Sequence, residues 1–268
     1  MKLKKANTKG KLSGNTELPK QFQEEVRPDI IKRAVHAFQS TQRQKYGTKP
    51  EAGLRHSSDL SKRRRKYRGV YGQGRSRTPR KVMSRSGLRF NYKGAEAPNT
   101  VGGRRSHPPK ASKEWAKKIN KKEKKKAIRS ALAATTKPDV VIARGHRLPK
   151  NYPFILSKDF EKIDKTQDLL KLLKDLGFEE ELQRTKEKKV RPGKGKNRGR
   201  PYKRKTGILF VVSEHGVLTE AARNIPGVDV ATPQELNPHL LAPGAHPGRL
   251  TLFTENAMKV LEEKEMYM

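Results

Sequence analysis

KRRRKYRGVYGQGRSRTPRKVMSRSGLRFNYKGAEAPNTVGGRRSHPPK, residues Lys62–Lys110, divides this chain in two. It holds 16 Lys or Arg residues against a single acidic one, Glu96. Its apolar residues, among them Val70, Val82, Leu88 and Phe90, keep neither a strand nor a helix period and are too sparse for a core face. Like charges at this density repel, so in water alone the segment is expected to stay unfolded. Yet Tyr67, Tyr71, Phe90 and Tyr92 are interleaved with the arginines, and a plain linker rarely carries aromatics. Glycines beside arginines, as at Gly69, Gly74 and Gly103, suit a backbone that must approach a phosphate or a base closely. We read 46–110 as an extended arm that folds on RNA. Contacts are expected from Arg63, Arg64, Arg65, Arg68, Arg75, Arg77, Arg80, Lys81, Arg85, Arg104, Arg105, His107 and Lys110.

If the arm is an insertion, one body must come from 1–45 and 111–268. A chain of 268 residues allows one or two domains. Its net charge of +36, with only 32% hydrophobic residues, would strain a compact domain unless a polyanion neutralised it. The charge is segregated. Residues 186–205 carry 11 basic residues against Glu187, whereas Thr206–Met268 has four basic and eight acidic ones. Zero cysteines exclude disulfides and thiolate zinc sites. No apolar run is long enough to span a bilayer, and no secretory leader is visible, so a soluble, cytoplasmic chain without membrane contact is expected.

The body reads as α/β. An edge strand is expected near Met1–Lys5. Pro28 opens a helix to about Gln44, with Ile30, Ile31, Ala34, Val35 and Phe38 on one face. His36, with no partner ligand at i+4, reads as a surface or packing histidine and not a ligand. Ser112 is a plausible N-cap for a helix through Thr135. On that helix Trp115 and Ile119 would share a face, making Trp115 a packing anchor and not a base-stacking platform. Strands are expected at Val140–Ala143, Phe154–Leu156, Ile208–Val212, Val228–Val230 and Leu250–Phe253. Helices fall at Asp164–Gly177, at Leu218–Asn224, from Thr232 with Glu235 as a capping-box residue, and from Thr254. Strands alternating with helices predict a three-layer α/β/α domain with a mostly parallel sheet.

Such a sheet invites a ligand at the carboxyl ends of its strands. The needed fingerprints are missing. Ser213-Glu214-His215-Gly216 lacks the glycines of a nucleophile elbow, and Gly193-Lys194-Gly195-Lys196 lacks the ending of a P-loop and precedes a strand. No cofactor is expected, and an RNA-modifying enzyme on an α/β scaffold is the rival reading. The loop 186–206 is different. In KVRPGKGKNRGRPYKRK, glycines alternate with Arg191, Lys194, Lys196, Arg198, Arg200, Lys203 and Arg204, a pattern suited to a phosphate backbone.

RPGKGKNRGRPYKRK followed by ILFVV resembles the signature of the archaeal and eukaryotic ribosomal protein L-four family of the large subunit. AGLRH (Ala52–His56), NTVGGRRSHPP (Asn99–Pro109), AIRSALAAT (Ala127–Thr135), ARGH (Ala143–His146), AARNIPGVDV (Ala221–Val230) and LAPGAHPGRLTLFTE (Leu241–Glu255) match too. The resemblance implies a non-enzymatic constituent of the large subunit, in contact with ribosomal RNA and neighbouring ribosomal proteins and supporting assembly. It implies that the arm lines the nascent-peptide exit tunnel, with Gly74, Arg75, Arg77, Arg80 and Lys81 at its tip. It also implies an apolar first strand, for which LKKANTKGK (Leu3–Lys11) is poorly suited.

Overall fold

The computed structural model describes residues 2–8 and 10–268. In chain order the first elements are β1 (Lys2–Ala6), β2 (Leu12–Glu17), α1 (Pro28–Thr41), β3 (Arg80–Ser86) and β4 (Arg89–Gly94). Next come α2 (Lys121–Thr135), α3 (Pro138–Ala143), β5 (Phe154–Leu156), α4 (Thr166–Asp175), α5 (Glu179–Lys186), β6 (Lys188–Val190) and β7 (Tyr202–Arg204). The chain ends with β8 (Leu209–Val211), α6 (Val217–Arg223), β9 (Asp229–Ala231), α7 (Pro238–Leu241), β10 (Thr251–Phe253) and α8 (Glu255–Glu263). Two units result: residues 1–42 with 116–268, and residues 43–115.

In the body, β1 pairs antiparallel with β2 and parallel with β5, while β8 lies between β10 and β9 with both pairings parallel. A parallel bridge links Leu156 to Thr254. Ile208–Val212 is buried throughout, as a strand covered on both faces must be. Its residues feed two cores alternately. Ile208, Phe210 and Val212 join Leu169 and Leu173 of α4 and Ala221 of α6. Leu209 and Val211 join Ile31 and Val35 of α1, Leu132 of α2 and Leu261 of α8.

Several expectations are corrected. The first strand forms despite its lysines, because Leu3 and Ala6 point inwards while Lys5 reaches the Glu255 carboxylate at 2.9 Å. It is flanked by strands on both sides and so is no edge; Met1, its expected start, lies outside the described residues. Val140–Ala143 is not a strand but part of α3. Pro138 occupies the helix's first turn with Asp139 beside it, and that start outweighs the β-branched residues. The helix expected from Ser112 begins only at Lys121. A start at Ser112 would place Lys113 at the positive end of the helix dipole, and instead the Lys117 N–H donates to Ser40 Oγ at 2.8 Å. Trp115 and Ile119 therefore share no helix face. Thr232–Glu235 makes a turn in which Glu235 accepts the Thr232 N–H at 3.1 Å, and the following helix, α7, is capped by Asn237. The first helix stops at Thr41, short of Gln44.

Residues 43–115 also depart from a featureless arm. β3 and β4 form an antiparallel hairpin, and Asp59 pairs with Arg80 alongside it. Val70, Phe90 and Ala95 are buried, whereas Val82 and Leu88 are exposed, as their sparse spacing predicts. Tyr67 meets Phe90 edge-on at 5.3 Å, and Phe90 stacks on Tyr92 at 5.9 Å. Nor do all the glycines there face outwards: a Cβ on Gly103 would lie 2.1 Å from the Ala97 carbonyl oxygen, so that position serves a backbone crossing within the unit.

Candidate nucleic-acid interface

The basic loop is a short hairpin. β6 and β7 pair Lys188 with Arg204 and Lys189 with Lys203, setting like charges opposite one another, which by itself is destabilising. Between the strands, Lys194–Arg198 makes one tight turn that closes at Gly199, whose φ of 76° is the left-handed conformation glycine tolerates. Lys194, Lys196, Arg198, Arg200, Lys203 and Arg204 are all exposed around this turn. Arg191 differs from them. Its guanidinium donates to the Arg200 carbonyl (3.1 Å) and the Tyr202 carbonyl (3.1 Å), so it straps the loop closed.

In residues 43–115, Arg63, Arg64, Arg65, Arg68, Arg75, Arg77, Arg85, Arg104, Arg105, His107 and Lys110 are exposed. Their neighbours are aromatic faces more often than carboxylates. Arg64 and Arg77 lie 5.4 and 5.0 Å from the Tyr71 ring centre, Arg68 and Arg85 lie 5.7 and 5.6 Å from Phe90, and Arg75 lies 6.0 Å from Tyr92. An arginine leaning on a ring keeps its charge and its donors available to a phosphate. Arg80 and Lys81 are only half-buried, and Arg80 donates to Ser76, which ties it into the unit. The chain reverses at Gly87-Leu88, where Leu88 is 84% exposed.

The carboxyl ends of the body strands are occupied by the protein's own side chains. Glu161 accepts the Ser213 N–H and hydroxyl, the Thr254 hydroxyl and the Asn256 amide, all at 2.6–3.1 Å. Burial opposes its charge, but these donors hold its pKa below the ordinary carboxylate value. Ser213 is thereby committed to Glu161, while His215 pairs with Glu235 at 2.7 Å, so the two never form a nucleophile and base. Among the described residues no cluster of His, Cys, Asp or Glu is placed to hold a metal.

Sequence reasoning missed what the ARGH and LAPGAHPGR motifs do. Arg144 donates to the carbonyls of His246 and Pro243. Arg249, almost fully buried, donates to those of Gly207 and Leu240 and to Asp229. His146 Nδ1 lies 2.7 Å from Glu181, which also accepts from Arg184 and from the Arg147 N–H. Burial works against the Glu181 charge, yet Arg184 and His146 hold its pKa down at about 2, and burial pushes His146 below its ordinary value. These motifs are internal struts, and only knowledge of the partners reveals it.

The α/β body thus spends the arginines of ARGH and LAPGAHPGR internally, while the loop and residues 43–115 expose theirs. Comparison with known proteins gives the family. Residues 16–264 match the ribosomal protein L4/L1 family model, and the chain belongs to that family. It is 48% identical over 255 residues to the large ribosomal subunit protein uL4 of Nanoarchaeum equitans, covering 95% of each chain. With uL4 of Archaeoglobus fulgidus it shares 42% over 264 residues, covering 98% of this chain and 99% of the relative. With uL4 of Methanothrix thermoacetophila it shares 44% over 265 residues, covering 98% and 100%.

Proposed function

We propose that this protein is a structural, non-enzymatic constituent of the large ribosomal subunit that binds ribosomal RNA through the loop 186–206 and the arm 46–110. The observation that carries this is the near full-length likeness to large-subunit uL4 proteins, joined to a charge distribution that leaves most loop and arm cations exposed. The two three-stranded sheets, bridged at Leu156 and Thr254, act as one mostly parallel layer with helices on both faces, a rigid seat for those extensions. No helix among the described residues is long and apolar enough to cross a membrane, and we place the protein in the cytoplasm on the ribosome, beside other ribosomal proteins. The exposed arginines Arg75 and Arg77, with Gly74, Arg80 and Lys81, face the nascent peptide in the exit tunnel.

The test is incorporation. Tagged full-length protein should co-sediment with large subunits at stoichiometric yield after a high-salt wash. An Arg75→Ala/Arg77→Ala form should enter subunits normally but change stalling on arrest peptides. Loss of the protein in the salt wash would refute the structural role. Normal entry with unchanged stalling would refute the tunnel assignment alone.

A further inference from the structure

The chain enters the unit 43–115 through Arg43–Thr48 and leaves it through Pro109–Trp115, and these two segments touch. The Thr48 N–H donates to the Pro109 carbonyl at 3.1 Å, and a Cβ on Gly47 would lie 2.5 Å from the Ala111 nitrogen. The approach stacks Tyr46 on Trp115, with ring centres 5.8 Å apart and planes within 19°. Trp115, the one tryptophan in the chain, also has the Arg43 guanidinium 3.8 Å and the Lys113 ammonium 4.4 Å from its ring centre. Each cation is attracted to the ring, but the two repel one another. The ion pairs among the described residues include neither of them. Trp115 Nε1 is buried without a protein acceptor, whereas Tyr46 remains 52% exposed.

A packing anchor accounts for two stacked rings. It does not account for a half-exposed tyrosine, two uncompensated cations and an unpaired donor gathered at one place. An anion beside Arg43 and Lys113 would relieve their repulsion, and a planar group on Tyr46 would extend the stack. A nucleotide carries both. We propose that Arg43, Tyr46, Lys113 and Trp115 form a subsite for one unpaired nucleotide of single-stranded RNA, its base on Tyr46 and its phosphate against the two cations. This rests on the RNA-binding function proposed above and adds a requirement for a base face that duplex RNA, stacked on itself, does not offer.

Trp115 emission reports the site directly in the full-length chain. A short oligoadenylate should quench it and bind roughly ten-fold or more tightly than an abasic ribose-phosphate oligomer of equal charge. Tyr46→Ala should lose that advantage, and Tyr46→Phe, which keeps the ring and controls for folding, should retain it. Equal binding of the two oligomers to the unaltered protein, or wild-type preference in Tyr46→Ala, would overturn the subsite. If the oligomers bind equally and binding falls in a Lys194, Lys196, Arg198 and Arg200 alanine variant, RNA binding stands and the subsite alone fails. If neither oligomer binds at low salt, both proposals fail.

Discussion

In the body, cations close on carboxylates and carbonyls; in residues 43–115 they lie on aromatic rings. Arg129 pairs with Glu24 at 2.8 Å, Arg184 with Glu181 at 2.7 Å, and Arg249 with Asp229. The other unit has Lys66 on Asp59, at 3.1 Å and largely exposed, and many arginines beside Tyr67, Tyr71, Phe90 and Tyr92. A carboxylate neutralises its cation and removes it from use. A ring orients a cation without neutralising it. These cations of the body are thus satisfied within it, whereas those of residues 43–115, like those of the loop 186–206, are left open to an external anion.

The strongest way to break this contrast is to remove a carboxylate from the body. Glu181→Ala leaves His146 and Arg184 in a buried site without their partner, and the body should lose about 3–5 kcal/mol of stability in chemical denaturation. Phe210→Ala, which empties the centre of a core, should cost about the same. If either variant melts like the parent, the body does not depend on those contacts.

Next is the salt dependence of RNA binding. Alanine at Lys194, Lys196, Arg198 and Arg200 should lower the slope of log affinity against log salt by roughly 3, since each phosphate contact contributes about 0.7–0.9. Alanine at Arg191 should change the slope little but loosen the loop, because its donors are spent on the Arg200 and Tyr202 carbonyls. A slope change of about 0.7–0.9 on Arg191→Ala alone would place Arg191 among the phosphate contacts.

Acidification sharpens the comparison further. The pKa of Glu181 is depressed from 4.5 to about 2, so the folded state resists a proton that the unfolded chain accepts. Its stabilisation is present above about pH 4.5 and is lost as pH falls through 2, a loss of about 3 kcal/mol in all. His146 is depressed by burial in the same sense, so loss begins below its ordinary pKa of 6.5. His146→Asn keeps a donor towards Glu181 and should flatten only that earlier part of a stability profile. A body equally stable at pH 7 and pH 3 would contradict both assignments.

The smallest effects belong to the hairpin of β3 and β4. Leu88→Ser, at the exposed reversal, should change stability by less than about 0.5 kcal/mol. Phe90→Ala should speed amide exchange across 80–94 without altering exchange in β8. Matching exchange rates in the hairpin and β8 would show the two units to be one cooperative block.

Much of the body was legible because burial leaves a pattern. Ile208–Val212, a short apolar run after a basic loop, read as a strand and is one, and the leucines of α4 recur at helical spacing. The charge runs were equally legible, since clustering needs no coordinates. What misled was local preference where tertiary partners decide. Val140–Ala143 has strand-forming residues but follows a helix start, and Lys113–Asn120 has helix formers but stays outside any helix, with the Lys117 N–H given to Ser40. The aromatic cluster at Phe90 was hidden because Tyr67, Phe90 and Tyr92 come from segments without common periodicity.

The sequence alone determined composition, charge segregation, the family motifs and the buried strands, because these depend on residue identity and short-range spacing. Only the tertiary structure decided which cations are free. Arg144, Arg191 and Arg249 differ from Arg198 or Arg200 solely in the carbonyls and carboxylates within reach of their guanidinium groups. Those partners lie up to about a hundred residues away in the chain, as Pro243 does from Arg144. The same holds for Tyr46 and Trp115, brought together by a crossing at Gly47 and Ala111 that no local pattern announces.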